Sequence, residues 1–338
     1  MNAQDDTSKQ ITSVDVAKLA GVSRSAVSRT FTPGASVAQE TREKVLKAAD
    51  ALGYRVNQLA RSLTNKRSDL VGIVAANMDN PFRTEQIEQI SRKLMEQNFR
   101  PILMPAESAD DPSRIIGMLL EYSVSGVIVT SDTPPEAICQ ECVSLGVPVV
   151  LVNKRKIGAT VDRVLMDNLK CGQLAAQALY EKGCRNVAII SANVPSYSLQ
   201  VRGDAFKRSC LEMGLQPVTG FAADFQDYNG GAHAAAQLLA SGRPFDGLFC
   251  VTDFMALGAL DHLRLSGAPP VPERMQVIGC DDIRQAAWQG YNLTTIRQDT
   301  AHLAEAVIEA LLNRFSKPNA PATTKTLDVS LIERGTTR

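Results

Sequence analysis

From residue 70 onward, short apolar runs alternate with longer stretches whose apolar residues recur every three or four positions. The runs LVGIVAA, RPILMP, GVIVT, VPVVLV, RVLMD, NVAII, DGLFCV and MQVIG are apolar nearly throughout, as strands covered on both faces are. Helical patterns separate them, the first from about Pro81 to Gln97. Such alternation predicts parallel sheets with helices on both faces. About 270 residues exceed one comfortable sheet, so two doubly wound α/β subdomains are expected.

Residues 11 to 63 read differently. Two short helical patterns flank an Ala20-Gly21-Val22-Ser23 turn. Thr12 and Ser13 can cap the first, with Asp15 supplying charge near its positive end, and Val16, Leu19 and Ala20 form its apolar face. Gly21 permits the positive φ of a sharp turn. Ser23 can cap the second helix, SRSAVSRTF, which turns Ala26, Val27 and Phe31 inward and Arg24, Ser25, Ser28 and Arg29 outward. A third helix, about Gln39 to Leu52, is expected to bury Val45, Leu46, Ala49 and Leu52. An Asn57-led segment with leucines at i, i+4 follows, then a polar, basic linker, Thr64 to Asp69.

Charge sharpens this picture. The chain has no net charge, yet residues through Arg67 hold 11 basic against 6 acidic side chains, and the remainder 25 against 30. A basic head on an acidic body concentrates the field that attracts phosphate. The second helix then reads as one that enters a major groove, Arg24 and Ser25 reaching base edges and Ser28 and Arg29 bases or flanking phosphates. The same pattern also fits a small helical bundle with solvated arginines.

Other chemistry is sparse. Seven scattered cysteines, several in apolar runs, fit buried thiols of a reduced cytoplasmic protein. Cys139 and Cys142 form a lone CxxC with no second pair at zinc-ligand spacing, so no metal or cofactor is expected. His233, His262 and His302 are isolated, and no P-loop, GxSxG or HExxH motif occurs. No apolar run approaches the roughly 20 residues of a membrane helix. The amino-terminal MNAQDDTSKQ lacks the apolar stretch of a signal peptide, which points to the cytoplasm. Polar residues do follow buried strands: Asn153 after VPVVLV, Thr252 and Asp253 after GLFCV, Asp281 after VIGC. Ligands of open parallel sheets bind beyond the carboxyl ends of strands, but the same residue types cap helices. Asp253, opening DFMALGALDHL, reads as a cap; for the others both readings stand.

The segments DVAKLAGVSRSAVSR, VAQETREKVLKAADALGY and NQLARSL, continued by LTTIRQD near residue 298, closely resemble the lactose-repressor (LacI/GalR) family over nearly the whole chain. The resemblance implies a helix-turn-helix head, residues 1–56, a hinge helix and linker, 57–68, and an effector-binding and dimerisation body of the type I periplasmic-binding-protein fold, 69–338. Its N-subdomain would span about 69–168 and 298–327, and its C-subdomain about 169–297 and 328–338, with some three crossings between them.

By the same resemblance Arg24, Ser25 and Arg29 are recognition positions, Thr12 and Thr41 contact phosphates, and Asn57 to Leu63 form a hinge that folds on double-stranded operator DNA. Leu63 would wedge into the minor groove, opening a base step and bending the duplex. Asn153, Arg202, Phe225, Thr252, Asp281 and Gln298 match effector-contact positions, and Asn80-Pro81-Phe82 the first-strand loop. Three features depart from the family: Val56 in place of proline after Gly-Tyr, Ala38 in place of a serine cap, and the Thr32-Pro33-Gly34 turn. In the cleft, Asn153 stands where the family often has Asp, and Arg83 where it often has an aromatic residue. One negative charge fewer and one positive charge more favour a carboxylate or phosphate on the effector, as does the nearby Lys154-Arg155-Lys156 run.

The expectation is therefore a homodimeric, effector-controlled transcription regulator, a repressor of a pseudopalindromic site, with no terminal heptad repeat to build a tetramer. A transport receptor would need a signal peptide and no basic head. A carbohydrate enzyme with a DNA-binding domain would need a base or nucleophile in the cleft, a part only Asp281 could be forced into.

Overall fold

The computed structural model describes residues 11–32, 34–55, 68–106, 112–130, 136–158, 161–217 and 220–338. Asn57, Leu63 and the rest of the expected hinge, with Pro33 and Val56, lie outside the described residues. The chain divides into two compact units, Met1–Ser68 and Asp69–Arg338.

The first unit is a bundle of α1 (Ser13–Ala20), α2 (Arg24–Thr30) and α3 (Gln39–Ala51). Thr12 opens α1, its backbone N–H and hydroxyl donating to the Asp15 carboxylate at 2.9 and 2.6 Å. Gly21 takes a φ of 64° at the turn. Ser23 caps α2, accepting from the Ala26 N–H at 3.2 Å; Ala38 gives α3 no side-chain cap.

Val16, Ala17, Val27, Val45, Ala48 and Ala49 form the core, with Phe31 and Tyr54 packed at its edge. Two expected core residues are not in it. Leu19 is 56% and Leu46 46% exposed, and Ala17 and Ala48 are buried instead. At about 100° per residue, Val16, Ala17 and Ala20 share one arc of α1 and Val45, Ala48, Ala49 and Leu52 one arc of α3. Leu19 and Leu46 fall just outside these arcs.

The second unit holds two sheets. The first orders β12 (Thr324–Leu327), β5 (Asp162–Met166), β4 (Val149–Val152), β3 (Gly126–Val129), β1 (Leu70–Ala75) and β2 (Arg100–Pro105), every pairing parallel. The second orders β13 (Ser330–Ile332), β11 (Thr294–Arg297), β10 (Gln276–Asp281), β9 (Gly247–Cys250), β6 (Asn186–Ala192) and β7 (Gln216–Pro217), with β8 (Phe221–Ala223) also on β6. Only β13, beside β11, runs antiparallel. Strands β3, β4, β9 and β10 are buried along their whole length, as continuous apolar runs require when both faces are covered. The chain leaves the first sheet after β5 for α7 (Asn168–Glu181), returns after β11 into α11 (Thr300–Ser316), and crosses again between β12 and β13.

The connection from α11 to β12 is held by one buried cation. Arg314 grips both Asp162 carboxylate oxygens at 2.9 and 3.0 Å and donates to the carbonyls of Pro318, Ala320 and Pro321. Asp162 also accepts from the Thr323 N–H and hydroxyl, each at 2.8 Å.

Candidate functional site

A cleft open to solvent is lined from both sheets. The first sheet's side supplies Asn80, Phe82, Arg83, Gln86, Thr130 and Asn153; the second supplies Ser196, Ser198, Leu199, Arg202, Gln226, Thr252 and Asp281. Gln298 lines it from the second crossing. All but two of these side chains, Phe82 and Leu199, can make hydrogen bonds, a composition suited to a hydroxyl-rich ligand.

Several of these groups are placed by local backbone needs. Asn80 caps α4 (Pro81–Glu96), accepting from the N–H groups of Phe82 and Arg83 at 3.0 and 3.4 Å. Arg83, in that first turn, donates to the Ala76 carbonyl at 3.3 Å. Asn153 directly follows β4 at a φ of 56°, and its Oδ1 accepts from the Met166 N–H at 2.8 Å. Thr252 caps α10 (Asp253–Leu265), accepting from the Met255 N–H at 3.3 Å. For Asn80, Thr252 and Asn153 the structural and ligand-facing readings therefore coexist: each spends one oxygen on the backbone while lining the cleft.

Arg202, on α8 (Tyr197–Glu212), is 2% exposed. Its guanidinium donates to the Val251 carbonyl and, at 2.8 Å, to Asn168 Oδ1, and lies 3.5 Å from Asp281 Oδ1. Gly172 makes the Asn168 contact possible, since a Cβ there would lie 2.3 Å from the Arg202 carbonyl oxygen; α7 and α8 touch backbone to backbone. Gln298 Nε2 donates to Asp281 Oδ1 at 2.6 Å. Burial pushes the Asp281 carboxyl up to about 6, against the pull of Arg202, Gln298 and Arg83. Arg202 Nε and Gln298 Oε1 are buried without a hydrogen-bond partner. An unpaired buried donor and acceptor each cost free energy, which a ligand bonding to both would recover.

Eight of the nine residues assigned to the cleft from sequence line it: Asn80, Phe82, Arg83, Asn153, Arg202, Thr252, Asp281 and Gln298. Phe225 does not. It is 68% exposed in the turn after β8, and its neighbour Gln226 lines the cleft; adjacent turn residues point in different directions, so a one-residue difference exchanges ring for amide. Gln86, Thr130, Ser196, Ser198 and Leu199 were not anticipated, although Thr130 directly follows GVIV and obeys the same strand-end rule as Asn153. Asp253, read as a helix cap, is not one. Thr252 holds that position, and the Asp253 carboxylate turns inward, fully buried.

On the head, Arg24, Ser25, Ser28 and Arg29 lie exposed along one side of α2, and Thr41 is half-buried near the start of α3. All seven cysteines are buried and unbridged. Burial pushes the Cys139 thiol up to about 11 and that of Cys142 to about 12, so both are poor nucleophiles and poor ligands. Among the described residues no group of three or more His, Cys, Asp or Glu could hold a metal, and no helix is long and apolar enough to cross a membrane.

Two family profiles match: bacterial regulatory proteins of the lacI family over residues 12–57, and a periplasmic binding protein-like domain over residues 176–337. The sucrose operon repressor of Pediococcus pentosaceus is 30% identical over 324 residues, 94% of this chain and 97% of that protein. The lac repressor dimer bound to operator and the anti-inducer ONPF superposes with a TM-score of 0.87 at 26% identity, covering 97% of this chain and 99% of that one. The transcriptional regulator CelR in complex with cellobiose gives a TM-score of 0.73 at 28% identity, covering 96% and 99%.

Proposed function

Because the chain belongs to the LacI family of DNA-binding transcription regulators, we propose that it is a homodimeric repressor that reads a pseudopalindromic operator and is released or recruited by a small anionic carbohydrate. The effector class rests on the charge of the cleft. Two arginines, Arg83 and Arg202, line it with a single carboxylate, Asp281, which Arg202 and Gln298 already engage. Asn153 adds no charge. A sugar acid or sugar phosphate completes this arrangement, its ring hydroxyls meeting the serines, threonines and amides and its anion meeting the guanidinium groups. Relatives support the carbohydrate part: one controls a sucrose operon and another is complexed with cellobiose.

A thermal-shift panel of neutral sugars, polyols, sugar acids and sugar phosphates tests this. Ligand at a hundred times its Kd stabilises the native state by about 2.7 kcal/mol, a rise of several degrees. Only anionic sugars are expected to produce it; a response confined to neutral sugars or polyols overturns the proposal.

In the DNA-binding half, a two-fold dimer places two α2 helices on two half-sites, and Leu63 of each hinge wedges the central step. Effector and operator affinities are reciprocally coupled. Arg24→Ala is expected to cost about 1–3 kcal/mol and to relax preference at one base position, the mark of a lost bidentate guanine contact. Selection of bound sites from random DNA, done on both proteins, measures this. A uniform loss across all sequences would assign Arg24 to the phosphates.

A further inference from the structure

The carboxylate end of β10 has unusual backbone. Asp281 and Asp282 have φ values of 134° and 60°, two consecutive non-glycine residues at positive φ, a backbone conformation that L side chains rarely adopt. Asp281 faces Arg202 and Gln298 in the cleft, so whatever fixes this turn fixes the aim of the cleft's one carboxylate.

Two buried side chains hold the turn's backbone. Asp253 Oδ2 accepts from the Ile283 N–H at 3.0 Å, and Oδ1 accepts from the Thr295 hydroxyl at 2.6 Å. Thr295 Oγ1 in turn accepts from the Asp282 N–H at 3.3 Å. Both amides that follow Asp281 are thus tied, one to Asp253 directly and one through Thr295. Gly279 provides the space, since a Cβ there would lie 2.1 Å from Asp253 Oδ1. Outside, Arg297 and Arg334 each reach the Asp282 carboxylate at 2.6 Å, bracing the turn's side chain but not those amides.

We propose that Asp253 is a positioning residue of the effector cleft: with Thr295 it holds the strained Asp281–Asp282 turn and so directs the Asp281 carboxylate toward Arg202 and Gln298. The inference rests on the effector reading only for the purpose of the turn; the pinning belongs to the ligand-free protein. A fully buried carboxylate is otherwise costly, and helix capping gives no reason for it, because Thr252 already caps α10. Asp253 touches no ligand in this scheme; it acts through the backbone.

Residue-resolved hydrogen exchange on the ligand-free full chain tests the pinning. Asp253→Ala is expected to speed exchange of the Asp282 and Ile283 amides at least about tenfold. Thr295→Val is expected to release Asp282 alone. Asp253→Asn keeps an acceptor for Ile283 and is therefore expected to spare that amide. Crystal structures of the variants should show Asp281 turned from Gln298 in Asp253→Ala. Unchanged protection at both amides, a loss spread evenly over the body, or an Asp281 that keeps its partners overturns the proposal. Should Asp253→Ala fail to fold, Thr295→Val carries the test. A ligand panel that finds no effector, with the amides protected as described, would sink the effector reading and leave the pinning standing.

Discussion

Arg202→Ala is expected to abolish the effector response while leaving operator affinity in the absence of effector within a few-fold of the parent. The guanidinium is the one group that touches the loop after β9 through Val251, the start of α7 through Asn168 and the end of β10 through Asp281. Its removal takes away the unpaired Nε and every bidentate possibility with it. Truncating one partner of a buried, hydrogen-bonded charge pair costs about 2–5 kcal/mol in binding, enough to carry a micromolar effector beyond reach.

A shifted pH profile accompanies that loss. In the parent, burial raises the Asp281 carboxyl to about 6 even with Arg202 beside it. A folded-state pKa above the unfolded one means that the native state binds the extra proton, so stability from this group falls as pH rises from about 4 through 6. Without Arg202 the carboxyl rises further and the decline extends to higher pH. Calorimetric titration with the strongest ligand of the panel, operator binding by mobility shift, and melts between pH 5.5 and 8 separate the cases. Arg202→Lys should fail almost as completely, because a compact ammonium lacks the planar fork that spans the three partners. Retained effector response would sink the anchoring role, and lost operator binding would make Arg202 structural.

The strands that the chain announces are those buried on both faces: GVIV, VVLV, GLFC and QVIGCD have one plain apolar signature each. The short edge strands Phe221–Ala223 and Thr324–Leu327 have none, the second being exposed at three of four positions, and only pairing reveals them. In the cleft, Asn153, Thr252 and Asp281 were legible because they end buried strands. Arg202 was legible only by family likeness, since nothing local marks a mid-helix arginine as buried. Asp253 was misread for a physical reason: at a helix start both threonine and aspartate are favoured caps, aspartate the more so, and sequence does not say which of two neighbours turns inward. The Leu19 and Leu46 expectations failed because a heptad-wide stripe is broader than the contact three short helices make. Phe225 shows the same limit in a turn, where one residue of offset changes the side chain presented.

The largest effect on stability is expected at Arg314. It lies nearly buried against Asp162, and the two share two charged hydrogen bonds. Replacing a buried ion pair by well-packed apolar residues can be neutral, but removing one partner leaves an uncompensated charge and costs about 3–5 kcal/mol. Arg314→Ala also frees the carbonyls of Pro318, Ala320 and Pro321, so the connection that brings β12 to β5 loses its clasp. Burial alone would raise the Asp162 carboxyl, yet hydrogen bonds from Arg314 and Thr323 outweigh it and the net direction is down. A depressed folded-state pKa gives stability that is present above the unfolded value, near 3.8, and is lost as pH falls through the lower folded value. In Arg314→Ala burial has no arginine to oppose it, so protonating Asp162 relieves the strain there. The deficit of the variant should therefore be large at pH 7 and shrink toward pH 3.5 in urea unfolding. Asp162→Asn combined with Arg314→Ala should be less unstable at neutral pH than the sum of the single changes, a coupling only a direct pair produces. A loss below about 1 kcal/mol, the range of exposed pairs, would mean that water replaces the arginine and that the clasp carries little of the fold.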